Sequence, residues 1–405
     1  MRNMLGIAAL LLLAPSTARA FPPAEGAPWQ PDPTWGFELE KTTTDQEYWG
    51  ATMQGEGQFA RLSPGTQALF DAYVKHCAAN PGCEVKMVKD KFGDAAFDVT
   101  FKQLNYTLTF TSDNVVVETL TQPAKQDEME RIAPTIEKEY FKFLEGQKFR
   151  NTWFGSAGHT SFGVKGAFSG NVQFFLDWMA DFANHSAFSY GGLLWDPYNA
   201  PALGSNPLEK VAFMKWLADG RAGKFQNLQE AARALIGDVY YHGKHDWRTM
   251  DFDKIEQYGP EYKYHAVNVT RLAKYGGDSD KSTVEIRSVR GYGSYYEYLT
   301  LVKLLKGRLV NLWKTRSEQT ARNPNWEGVK YLDIGLIPTP AHGVAQFNAY
   351  NTPESGLKFE ELKPLMPPEW RREKLDPEKA YAPGRSAGLA ETACGLLAFR
   401  LGLFL

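Results

Sequence analysis

Acidic, basic and imidazole side chains recur between positions 38 and 287 in short runs that read as β-strands. Glu38 and Glu40 lie in Trp35-Gly36-Phe37-Glu38-Leu39-Glu40. Glu118 follows Asn114-Val115-Val116-Val117, and His159 ends Gly155-Ser156-Ala157-Gly158-His159. Glu285-Ile286-Arg287 closes another strand-like run. Side chains at i and i+2 of a strand share a face, so Glu38 points with Glu40, and Glu285 with Arg287. Like charges side by side repel unless something positive sits between them. Hard cations such as Mg²⁺ or Mn²⁺ fill that role with oxygen ligands. Structural readings stand beside this one. Glu38 and Glu40 could line the solvent face of an edge strand, Glu285 and Arg287 could form an ion-pair ladder, and His159 could be a core histidine. His242-Gly243-Lys244-His245-Asp246 has metal-binding residue types but lacks the His-Glu context of a zinc hydrolase.

The elements that must position these residues can be read from pattern. Residues 66–79 have helical periodicity, and 84–119 hold a run of short strands. Residues 125–146 read as a charged helix that Pro134 kinks or divides. Helices follow at 172–179, from Asn206 as N-cap with Pro207 at the first helical position, and at 227–242. Residues 263–269 and 283–288 read as two strands separated by the polar turn 276–280. A long amphipathic helix covers 295–314. From about 335 to 385 prolines and charges dominate, which reads as irregular wrapping.

Length and composition bound the classes. The chain has 405 residues, 43% hydrophobic and 23% charged, which is globular. A net charge of −2 excludes a general attraction for nucleic acid or anionic membranes. Residues 1–20 carry Arg2, a short apolar core and Ala18-Arg19-Ala20, the pattern of a secretory signal peptide cleaved before Phe21. A secreted or periplasmic location follows as an expectation. Cys77 and Cys83 flank the turn-forming Ala-Ala-Asn-Pro-Gly. In an oxidising compartment they are expected to form a disulfide contributing about 2 kcal/mol, with a metal site as the alternative. Cys394 is left over. The apolar stretch 386–405 reads as a docking helix, with a membrane-associated tail as the other reading.

In this order the motifs resemble the bacterial amidoligase family of glutamine-synthetase-like carboxylate–amine ligases. The matching segments are Gly36-Phe37-Glu38-Leu39-Glu40, Val116 to Pro123 around Glu118, Gly155 to Ser161 around His159, the strand containing Asn268, and Thr283-Val284-Glu285-Ile286-Arg287. The resemblance implies that Glu38, His159 and Glu285 hold one Mg²⁺ (or Mn²⁺) near the phosphates of ATP. It implies that Glu40 and Glu118 hold a second, and that Arg287 neutralises the phosphoryl group in transfer. A strand that carries two histidines in the family carries Ser161 at the second position, where the resemblance implies a contact with nucleotide or substrate.

The expected architecture is α+β. A curved, mostly antiparallel sheet carries the active-site cleft and helices pack outside it, in the glutamine-synthetase-like manner, over residues 21–334, with 335–405 wrapping. The activity implied is amide or peptide bond formation on a small-molecule or peptide substrate, peptidoglycan peptide included. Export from the cytoplasm sits awkwardly with ATP. A metal-dependent amide hydrolase, or an envelope binding protein without catalysis, are the alternatives on the same scaffold.

Overall fold

The computed structural model describes residues 29–43, 61–90, 93–113, 116–150, 158–185, 187, 207–263, 265–288, 291–332 and 339–381. The signal-peptide segment, Asn206, positions 155–157 of the Gly-rich run, Cys394 and the apolar stretch 386–405 lie outside them. The chain mixes helix with an open antiparallel sheet. Its strands run in the order β2 (Cys83–Lys89), β3 (Ala95–Phe101), β4 (Tyr106–Asp113), β5 (Val116–Thr121), β1 (Trp35–Thr43), β7 (Gly158–Gly163), β9 (Thr283–Ile286), β8 (Val267–Asn268). The pair β6 (Phe149–Arg150) joins the end of β1.

Alternation decides which face is buried. In β1, Trp35, Phe37 and Leu39 are buried while Gly36, Glu38 and Glu40 are only half-buried. The apolar face packs against helices. Phe37 meets Tyr140 and Tyr298 with ring centroids at 6.1 and 4.8 Å. Tyr298 belongs to a long helix, Tyr295–Arg322. Over the outer strands lies α1 (Pro64–Ala79), whose Tyr73 packs on Phe97 and Phe110. Removing a ring such as Phe37 would cost about 3–5 kcal/mol. Cys77 near the end of α1 and Cys83 at the start of β2 stand at disulfide distance, Sγ–Sγ 2.02 Å, as an oxidising compartment would allow.

The helices number in chain order α2 (Gln126–Ile136), α3 (Phe143–Gly146), α4 (Val164–Phe168), α5 (Val172–Asn184), α6 (Pro207–Arg221) and α7 (Leu228–Ala234). Then come α8 (Thr270–Tyr275), α9 (Tyr295–Arg322), α10 (Pro340–Tyr350) and α11 (Phe359–Leu362). None among the described residues is long and apolar enough to cross a membrane.

Several expected elements need correction. Pro134 does not divide its helix. The chain continues through a π-helical turn, Glu137–Lys142, into α3. A proline removes one N–H from the ladder, and a π-turn absorbs such a fault. Residues 263–269 are not one strand. Among its described residues only Val267–Asn268 pairs in a ladder, and α8 begins two residues later, where the Asn268 side chain accepts from Thr270 N. The segment after 335 is not simply irregular. Thr339 caps α10, Pro340 sits in its first turn, and Val344, Phe347 and Tyr350 are buried. A Cβ on Gly307 of α9 would meet Ser355 N at 2.5 Å, so only glycine allows that close approach.

Candidate metal centre

The open face of the sheet collects the charged residues. Cross-strand partners share a face, and Glu38 lies opposite His159 of β7 and Leu120 of β5. Glu40 lies opposite Glu118. Ser161 faces Glu285 of β9, which in turn faces Asn268 of β8. The strand carrying Glu38 is interior to the sheet, so the edge-strand reading of Glu38 and Glu40 is set aside.

Three of the expected ligands converge. One ligand atom from each of Glu38, His159 and Glu285 lies within 4.8 Å of the others, the single such group among the described residues. His159 Nδ1 is 3.1 Å from Glu38 Oε1 and 3.2 Å from Glu285 Oε1. The imidazole forms the floor at 2% exposure, with Glu285 at 16% and Glu38 at 29% progressively nearer solvent. One nitrogen and two carboxylates are a donor set that can hold a divalent cation.

Arg287 closes one side. Its guanidinium is 2.8 Å from Glu285 Oε1, so the ion pair read as a structural alternative is present within the same cluster. Burial opposes the charge on Arg287, but Glu285, Glu38 and Glu40 outweigh it and raise its pKa. Burial and the Arg287 charge likewise oppose protonation of His159. The Glu38 hydrogen bond and the charges of Glu38 and Glu285 prevail and raise it.

Glu40 and Glu118 sit on the same face, one register step along β1, but neither belongs to the converging group. Glu118 lies inside β5 rather than at a strand end. His242, His245 and Asp246 form no ligand cluster. The His245 ring lies against Tyr241 and Tyr258, and Asp246 accepts from Arg248.

Sequence reasoning assigned no role to Asn268, whose Nδ2 donates to Glu285 Oε2 at 2.9 Å. Its signal in the sequence was membership of the Asn-containing strand among the segments of the family resemblance. It also missed Glu209 of α6 and His265, buried with Oε1 and Nδ1 3.2 Å apart. Burial pushes the Glu209 carboxyl up to about 7 and His265 down to about 3. The His265 ring stacks on Tyr240, centroids 3.8 Å apart.

No protein-family model matches this chain, and no curated protein matches it either.

Proposed function

We propose that the chain is a metal-dependent carboxylate–amine ligase with a glutamine-synthetase-like sheet. It would form an amide bond on a peptide or small-molecule carboxylate of the cell envelope. The observation that carries the reading is the convergence of Glu38, His159 and Glu285 from three neighbouring strands. The order of strands supports it further. The five segments that carry the family resemblance fall on β5, β1, β7, β9 and β8, consecutive neighbours in one sheet.

Glu38, His159 and Glu285 would hold the cation, with Glu40 and Glu118 placed for a second. A bound divalent cation supplies the positive charge that lets two anionic reactants approach. Arg287, held beside Glu285, adds a fixed positive charge at the rim of the same site. Helices shield the other face of the sheet, so substrate would approach from the acidic side.

Titration of the purified full chain with Mn²⁺, followed by electron paramagnetic resonance, tests the site. Assay of ADP release from ATP with carboxylate and amine pairs tests the reaction. Saturable Mn²⁺ binding that Glu38→Gln weakens at least tenfold, with amine-dependent ADP release, is the expected result. Absence of Mn²⁺ binding at millimolar concentration would end the metal reading. Binding without ATP turnover, but with amine release from peptides, would replace the ligase by a hydrolase.

A further inference from the structure

The side chain of Asn268 has only one chemically consistent orientation. One end faces the Thr270 backbone N–H at 2.9 Å and the Thr270 hydroxyl at 2.7 Å. A backbone N–H can only donate, so the atom facing it is Oδ1. Nδ2 is therefore the end that reaches Glu285 Oε2. The strand bearing Asn268 is itself pinned. Tyr240 OH donates to Val267 O at 2.5 Å, and Arg287 N donates to Ala266 O at 2.9 Å.

These bonds divide the two oxygens of Glu285. Oε2 accepts from Asn268, while Oε1 accepts from Arg287 Nη1 at 2.8 Å and lies 3.2 Å from His159 Nδ1 on the side of Glu38, where its second lone pair can meet a cation. A cation held between Glu38, His159 and Glu285 would meet Oε1 first. Mg²⁺ and Mn²⁺ favour octahedral sites with single oxygens, whereas Ca²⁺ takes six to eight ligands and readily accepts a bidentate carboxylate.

Resting on the metal-site reading above, we infer that Asn268 is a positioning residue that holds Glu285 monodentate and so biases the site toward Mg²⁺ or Mn²⁺ against Ca²⁺. Outer-shell partners of metal ligands typically change metal affinity 10–100-fold. Loss of the Asn268 donor frees Oε2 for bidentate contact. Mn²⁺ then binds more weakly, and Ca²⁺ loses less or gains.

The test compares Mn²⁺ and Ca²⁺ dissociation constants for wild type, Asn268→Ala and Asn268→Ser, with melting of the metal-free proteins alongside. Serine keeps an oxygen that can accept from Thr270 N, so the start of α8 is retained, but it is too short to reach Glu285. The expected result is a fall of about tenfold in the Ca²⁺/Mn²⁺ ratio of dissociation constants in both variants, with the metal-free Asn268→Ser protein melting as wild type does. Wild type that binds Mn²⁺ and variants with an unchanged ratio would overturn the inference while leaving the metal site standing. Wild type that binds neither ion would overturn the metal site, and the role of Asn268 in it.

Discussion

Two groups of buried charge differ in their balance. Among the helices, Asp177 of α5 is fully buried, and accepts from Arg221 of α6 at 2.5 Å and Arg316 of α9 at 2.6 Å. Its Oδ1 also takes the Val329 N–H. Gly328, at φ +93, closes over that pair, where a Cβ would collide with the Arg221 guanidinium. One turn along α5, Asp181 accepts from both Nε and Nη2 of Arg308 at 2.8 and 2.5 Å. On the sheet, among the described residues, Glu38 and Glu285 meet the imidazole of His159 and Glu285 meets the guanidinium of Arg287, with Glu40 and Glu118 paired further along the same face. Among the described residues, guanidinium outnumbers carboxylate in the helical group, and on the sheet the reverse holds. A buried ion pair that only holds helices together is closed by its own partners. A face with surplus negative charge is suited to an added cation.

The largest expected effect breaks the closed group. Asp177→Ala leaves Arg221 and Arg316 buried without their shared counter-charge. It should cost about 3–5 kcal/mol, read by urea denaturation, with Mn²⁺ affinity unchanged. A loss below about 1 kcal/mol would show that the two regions do not differ as described.

Next comes the Glu209–His265 pair, with His265 two residues before β8 and stacked there on Tyr240. An acid whose pKa is raised keeps its proton in the folded chain where the unfolded chain has released it. Stability from Glu209 therefore falls as pH rises from about 4.5 to about 7. His265, lowered to about 3, acts in the opposite sense, and stability rises with pH from there to about 6.5. Glu209→Gln removes only the first limb. It should match wild type at pH 4 and gain roughly 3 kcal/mol at pH 8. Melting curves across that range check this, and an equal shift at both pH values would refute it.

A smaller effect is expected at the Cys77–Cys83 link. Cys77→Ser with Cys83→Ser should cost about 2 kcal/mol, measured by denaturation of non-reduced protein, without altering Mn²⁺ binding. The smallest stability change is expected on the sheet face. Glu38→Gln removes one charge from a crowded anionic set, so the metal-free protein should stay within about 1 kcal/mol of wild type or rise slightly. The same variant should bind Mn²⁺ at least tenfold more weakly. Strong destabilisation of the metal-free protein would instead make Glu38 a structural partner of His159.

Much of the site was legible in the chain because β-periodicity is local. Alternation alone placed Glu38 with Glu40 and Glu285 with Arg287 on common faces. The helix 66–79, the strand run after it and the long helix from 295 were legible for the same reason, since caps and apolar spacing act within a few residues. What pattern missed depended on partners far away. The residues 263–266 have strand-like composition, but pairing with β9 is limited to Val267 and Asn268. The helix α10 was obscured by surrounding prolines, and its buried Phe347 and Tyr350 are fixed by packing rather than by sequence period.

The sequence by itself thus determined the helix 66–79, the strand run after it, the long helix from 295, the spacing of cysteines 77 and 83, and which acids share a face. Tertiary structure decided the rest. Only strand order brings His159 between Glu38 and Glu285, separates Glu40 and Glu118 from that group, and sets Asn268 against Glu285. The reason is physical. Hydrogen-bonded neighbours in a sheet lie about 4.8 Å apart, so which strands become neighbours sets which side chains meet, and that choice is made by burial of the whole apolar face rather than by any one segment.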